Sequence, residues 1–114
     1  MARAATTSDV FNAIAEPRRR EIIDLLAGGE TAVGELVRML RIAQPAVSKH
    51  LGVLRRVRIV SVSKRGRRRV YRLNARELKP VHDWVKNYER FWSHQLNRIK
   101  ARAEQKAREQ RKEN

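Results

Sequence analysis

The chain has 114 residues and a mass of 13.3 kDa, a size suited to one domain and too small for two independent cores. Apolar residues make up 41% of it, which excludes wholesale disorder. No run approaches the length of a membrane span. Twenty-seven Lys and Arg against 12 Asp and Glu give a formal charge of +15, and zero cysteines remove disulfides, thiolate chemistry and cysteine-bound zinc together. A polyanion is the expected partner.

Residues 1–7 are expected to form a flexible N-terminus without the apolar run of a signal peptide, which points to a cytoplasmic location. One domain is expected over 8–100. Ser8 has the chemistry of an N-cap for a short helix carrying Val10, Phe11 and Ile14. Pro17 suits the first position of a second helix with Ile22, Leu25 and Leu26 on one face, and Gly28-Gly29 ends it. Thr31 is expected to cap a third helix whose inner face is Val33, Leu36, Val37 and Leu40. After a short turn at Arg41-Ile42-Ala43, a fourth helix is expected over about 44–56.

That fourth helix has two chemically distinct sides. At ~100° per residue, Val47, Leu51 and Leu54 share one stripe, while Pro45, Ser48, Lys49, Gly52 and Arg56 lie opposite. A small, polar, basic outer face is what a helix entering a DNA groove needs. A hairpin over about 59–73 follows. Val60-Ser61-Val62-Ser63 alternates with period two, Arg65-Gly66-Arg67 turns, and Tyr71 and Leu73 return on one face. Asn74 and Glu77 have capping-box spacing. One long helix is then expected over about 78–100, with Val81, Trp84, Val85, Tyr88, Phe91, Trp92, Leu96 and Ile99 at 3–4 spacing, and a frayed basic tail over 101–114.

Charge is segregated along this order. Residues 9–35 hold six acids and three bases, whereas 36–76 hold thirteen bases and no acid. Turn and strand signals within the acid-free block favour nucleic acid over a membrane surface as the counter-charge.

The residues themselves are familiar. Val33-Gly34-Glu35-Leu36, Gln44-Pro45-Ala46-Val47-Ser48-Lys49-His50-Leu51, Leu54-Arg55 and Arg65-Gly66-Arg67-Arg68-Arg69-Val70-Tyr71-Arg72-Leu73 resemble the arsenical-resistance-repressor (ArsR-type) family of bacterial winged-helix regulators. The Trp84 to Trp92 segment is similar to its metal-free branch. The resemblance runs from about Val10 to Ile99. It implies a mainly α fold with a small β-hairpin, a winged helix-turn-helix, dimeric through its first and last helices. It also implies binding to double-stranded operator DNA, usually as a repressor, and nucleoid association when bound. Two departures stand out: Ala43 replaces the common Ser or Thr, and Val57-Arg58 replaces Ala-Gly. Ala cannot cap the fourth helix, and Arg58 must accept strain or end that helix differently.

Each residue also has a bland reading. Gln44, Ser48 and Lys49, a solvated helix face elsewhere, are assigned to base edges because Gly52 and the hairpin adjoin them; Pro45 shares that face. His50 is placed with the DNA set, although a packing role suits it equally. Arg55 and Arg56 are expected on the phosphate backbone. Lys64, Arg65, Arg67, Arg68 and Arg69 on a tight, acid-free hairpin are expected on phosphates or in the minor groove. Arg18–Arg20, with Glu16, Glu21 and Asp24 close by, are assigned to local ion pairs. Val10, Phe11, Ile14, Val81, Trp84, Val85, Tyr88, Phe91 and Trp92 are assigned to the dimer interface, since an exposed apolar patch of this extent calls for a partner.

Three other classes rank lower. A non-specific nucleoid-type binder fits the charge and leaves the differentiated helix face unexplained. A metal-sensing repressor would need ligands on the last helix, where Asp83 and His94 fit the family spacing but Val81 and Asn97 cannot ligate. His82 and His94 would point about 120° apart on a helix. An enzyme lacks a phosphate loop, paired carboxylates and a nucleophile–base set. No cofactor and no metal are expected, and the sequence names no effector.

Overall fold

The computed structural model describes residues 7–113. The elements are α1 (Thr7–Ile14), α2 (Pro17–Ala27), β1 (Thr31–Ala32), α3 (Val33–Leu40), α4 (Gln44–Arg56), β2 (Val60–Arg65), β3 (Arg68–Leu73), a 3-10 turn (Ala75–Leu78), α5 (Lys79–Lys86) and α6 (Glu89–Glu113). The expected flexible N-terminus falls outside the described residues up to position 6, and helix has already begun at Thr7. Ser8 therefore lies within α1 rather than ahead of it. The chain divides into two compact units, the first ending at Val81 and the second starting at His82.

In the first unit, α1 to α4 and the sheet surround one core. Ile22, Leu36, Val47, Leu51, Leu54, Ile59 and Val60 are fully buried, joined by Val10, Leu26, Leu40 and Tyr71. The three residues of the α4 stripe are all inside, and their burial fixes which side of that helix faces out. Val10 sits in this core at 5% exposure, and Ile14 and Val81 pack against it. Val10 thus leaves the set of residues open to a partner, because its apolar surface is already covered.

Helix ends in this unit are held by side chains distant from the expected ones. Arg19 donates to the carbonyls of Ala13 and Asn12, and Arg20 to those of Ile14 and Ala15. The two arginines satisfy the orphan carbonyls at the end of α1, a capping role that the nearby acids in the sequence did not suggest. Arg18 pairs with the acid Glu21 at 3.3 Å, as the sequence led one to expect. Glu16 caps α2 by accepting from the Arg18 amide.

Thr31 does not cap α3. It pairs with Tyr71, and Ala32 with Val70, so β1 adds a third strand to the hairpin in the order β1-β3-β2. A β-branched residue fits that edge position, and its hydroxyl donates to the Gly29 carbonyl instead. The β2–β3 ladder runs from Val60 opposite Leu73 to Arg65 opposite Arg68. Gly66 turns it with φ of 66°.

Arg58 ends α4 with φ of 66°. Its amide donates to Arg55 O and the Ile59 amide to Leu54 O, the paired bonds of a Schellman motif, with Leu54 and Ile59 both buried. Asn74 does not form the expected capping box. Its amide nitrogen donates to Arg58 O and Ser61 Oγ, and no side-chain bond caps the 3-10 turn.

The second unit is helical. The single long helix expected here is broken at Asn87-Tyr88, where Asn87, Tyr88 and Phe91 amides donate three residues back. No Pro or Gly marks the break; Asn87 is a residue that favours helix ends. Beyond it α6 continues to Glu113, past the start of the expected frayed tail. No described residue of this unit is buried.

Candidate nucleic-acid interface

The outward side of α4 follows from its buried stripe. With Val47, Leu51 and Leu54 inside, Gln44, Pro45, Ser48, Lys49, Arg55 and Arg56 are exposed. Ala43 at the N-cap has φ −62° and ψ 144°, the extended geometry of a cap, but offers no side-chain acceptor. The first turn of α4 is therefore open, with Gln44 at its start.

Gln44 does not stand alone. A cleft of about 420 Å³ is lined by Gln44, by Val33, Gly34, Glu35 and Arg38 of α3, and by Arg67, Arg68 and Arg69 of the hairpin. The turn and the beginning of β3 thus share one cleft with the start of α4, so that three arginines and a glutamine from separate elements line the same surface. Arg38 pairs with Glu35 in the same wall. The sequence reading missed the α3 residues, because nothing local to α3 shows that the hairpin lies beside it.

Electrostatics at the hairpin are unfavourable in isolation. Its register sets Lys64 opposite Arg69 and Arg65 opposite Arg68, and like charges directly across a ladder repel. All five basic residues are exposed. The hairpin is not free of acids, contrary to expectation: Glu30 Oε2 lies 2.8 Å from an Arg65 amino group. No sequence signal linked the two, since the pair depends on β1 joining the sheet.

Two members of the expected set stand apart. Arg56 donates to Gly52 O and lines a separate cleft with Asp9, Asn12, Arg19, Val53 and Val57, on the α1 side of α4. His50 is half-buried, with Nδ1 enclosed and without a hydrogen-bond partner among the described residues. That orientation suits packing more than a surface contact. No group of three or more His, Cys, Asp or Glu among the described residues is placed to hold a metal ion.

Apolar surface is concentrated elsewhere. Trp84, Tyr88, Phe91, Trp92, Leu96 and Ile99 are all exposed, with Phe91 at 64%. Trp84 and Tyr88 meet edge to face at 5.5 Å, and Arg90 lies over the Phe91 ring. Val85 is half-buried, and Phe11 on α1 is likewise half-buried. No helix among the described residues is long and apolar enough to cross a membrane.

Comparison with known proteins agrees with this architecture. Residues 16–62 match the bacterial regulatory protein family arsR. The chain is similar to the transcriptional repressor SdpR of Bacillus subtilis, at 35% identity over 71% of this chain and 90% of that protein. It is similar also to the HTH-type transcriptional regulator Rv2034 of Mycobacterium tuberculosis, at 42% identity over 75% of this chain and 78% of that one. Among solved structures, a possible transcriptional regulator for arsenical resistance superposes with a TM-score of 0.65 and 34% identity, covering 82% of this chain and 94% of the other. The matched residues 16–62 span α2, β1, α3 and α4, and the β2–β3 hairpin that follows α4 forms the wing of a winged helix-turn-helix. The chain belongs to the arsR family of bacterial regulatory proteins, and it is a DNA-binding transcriptional regulator rather than an enzyme.

Proposed function

We propose that the protein acts as a homodimeric repressor of a short imperfect palindrome in bacterial cytoplasm. Gln44, Ser48 and Lys49 read base edges in the major groove, with Pro45 allowing close approach. Lys64, Arg67, Arg68 and Arg69 grip the adjacent backbone or minor groove, and Arg55 adds a phosphate contact. The cleft shared by Gln44 and the wing arginines carries this reading, because it joins a base-reading side chain to a cluster of charge that repels itself until phosphate is supplied.

A second copy covers the exposed aromatics from Trp84 to Trp92, together with Val85 and Phe11, so that two α4 helices meet two half-sites. Repression follows by occupying promoter DNA. Fluorescence anisotropy against the protein's own upstream DNA and a shuffled copy, across a salt series, tests the reading. Preference for the native DNA is expected to persist at ~0.15 M salt, where screening trims charge attraction. Equal affinity for both, vanishing together as salt rises, would leave a non-specific polyanion binder. Indifference to added zinc and to chelator is expected as well.

A further inference from the structure

Glu30 lies in the loop between α2 and β1, and its carboxylate meets Arg65 at the far end of β2. Since the strand order is β1-β3-β2, this contact links the two edges of the sheet across its central strand. Both side chains are substantially exposed, at 61% for Arg65 and 41% for Glu30. An exposed pair of this kind adds little stability. Its larger consequence is electrostatic. It places a negative charge against one of five basic residues whose other neighbours, Lys64, Arg67, Arg68 and Arg69, are all cationic.

We propose that Glu30 is a positioning residue that withholds Arg65 from the DNA backbone and thereby limits the sequence-independent grip of the wing. The inference rests on the DNA-binding reading above. An arginine already bound to a carboxylate releases fewer counterions when DNA arrives, because a phosphate at the same guanidinium must displace or tolerate the carboxylate. The effective charge of the wing is then set by four residues, and Arg65 serves to fix where the hairpin sits. The alternation of the strand gives Arg65 the sheet face of Ser61 and Ser63, opposite that of Val60, Val62 and Lys64. Lys64 and Arg65 are therefore different positions despite their adjacency.

The test is anisotropy over a salt series with the native upstream DNA and its shuffled copy. The proteins are wild type, Glu30→Gln, Arg65→Gln, the double variant, and Asp24→Asn as an equal charge change at an exposed α2 position. Glu30→Gln is expected to bind both DNAs about fivefold more tightly at ~0.15 M salt, with a salt slope steeper by about one. Arg65→Gln is expected to leave the wild-type slope in place and to abolish the gain in the double variant. Asp24→Asn should keep the slope. The proposal is overturned if Glu30→Gln matches wild type or Asp24→Asn, or if Arg65→Gln alone flattens the slope by about one. Thermal melts followed by circular dichroism confirm that each variant is folded. A wild type that binds without preferring native DNA sinks the operator reading while the slopes still decide the role of Glu30.

Discussion

The side-chain amide of Asn74 donates to the carbonyl oxygen of Arg58 at 2.9 Å, holding in place the one left-handed residue at the end of α4. The Asn74 backbone amide reaches Ile59 O at 2.8 Å, so the same residue also extends the β2–β3 ladder by one step. The end of α4 and the base of the β2–β3 hairpin are thus joined through Asn74.

Asn74→Ala should lower stability by about 1–2 kcal/mol, since two side-chain hydrogen bonds are lost. Arg58→Gly should act in the opposite direction. A left-handed conformation costs an L-residue roughly 1–2 kcal/mol, of which glycine's greater freedom in the unfolded chain returns about 0.5–1 kcal/mol. Urea unfolding of the two variants measures both. Equal midpoints for Asn74→Ala and wild type would mean that the Schellman bonds hold the junction unaided.

Ala43 has the backbone of a helix cap and lacks the side chain for it. Ala43→Ser should therefore stabilise the protein by about 1 kcal/mol by offering an acceptor to the first turn of α4. A rise in the urea midpoint with an unchanged slope is the expected result; no rise would indicate that another group already satisfies that turn.

Division of labour across the DNA face is open to direct measurement. Gln44→Ala and Ser48→Ala are each expected to relax preference among operator variants, by about 1–3 kcal/mol where a bidentate base contact is lost. Arg67→Ala should weaken all DNAs alike and reduce the salt slope by about one. Altered preference with an unchanged salt slope for Arg67→Ala would reverse the assigned roles.

Phe91 is 64% exposed, so replacing it disturbs no core contact. Phe91→Glu is expected to convert dimers to monomers in sedimentation, as a charge placed in an apolar interface is costly to bury. An unchanged sedimentation coefficient would move the interface off the aromatic stripe.

Local periodicity was enough to find most helices and the hairpin. The 3–4 spacing of Val47, Leu51 and Leu54 exposes one side of α4 to any reader of the sequence, because helix geometry links residues only a turn apart. The alternation from Val60 to Ser63 and the glycine at 66 identify the wing for the same reason. Composition and the acid-free block pointed to a polyanion without any structure. Family membership, too, was legible in the strings of residues from Gln44 to Leu51 and from Arg65 to Leu73.

Tertiary structure alone decided what the polar side chains do. Thr31 reads as a helix cap until Tyr71, on a distant strand, gives it a ladder partner. Arg19 and Arg20 have acids close in sequence, yet the approach of α1 turns them to its carbonyls. Asn74 leaves its own helix start for Arg58, and Glu30 reaches Arg65 only because β1 completes the sheet. Hydrophobic pattern is a property of one element, whereas a hydrogen bond or ion pair goes to whichever partner the packing of several elements brings within about 3 Å.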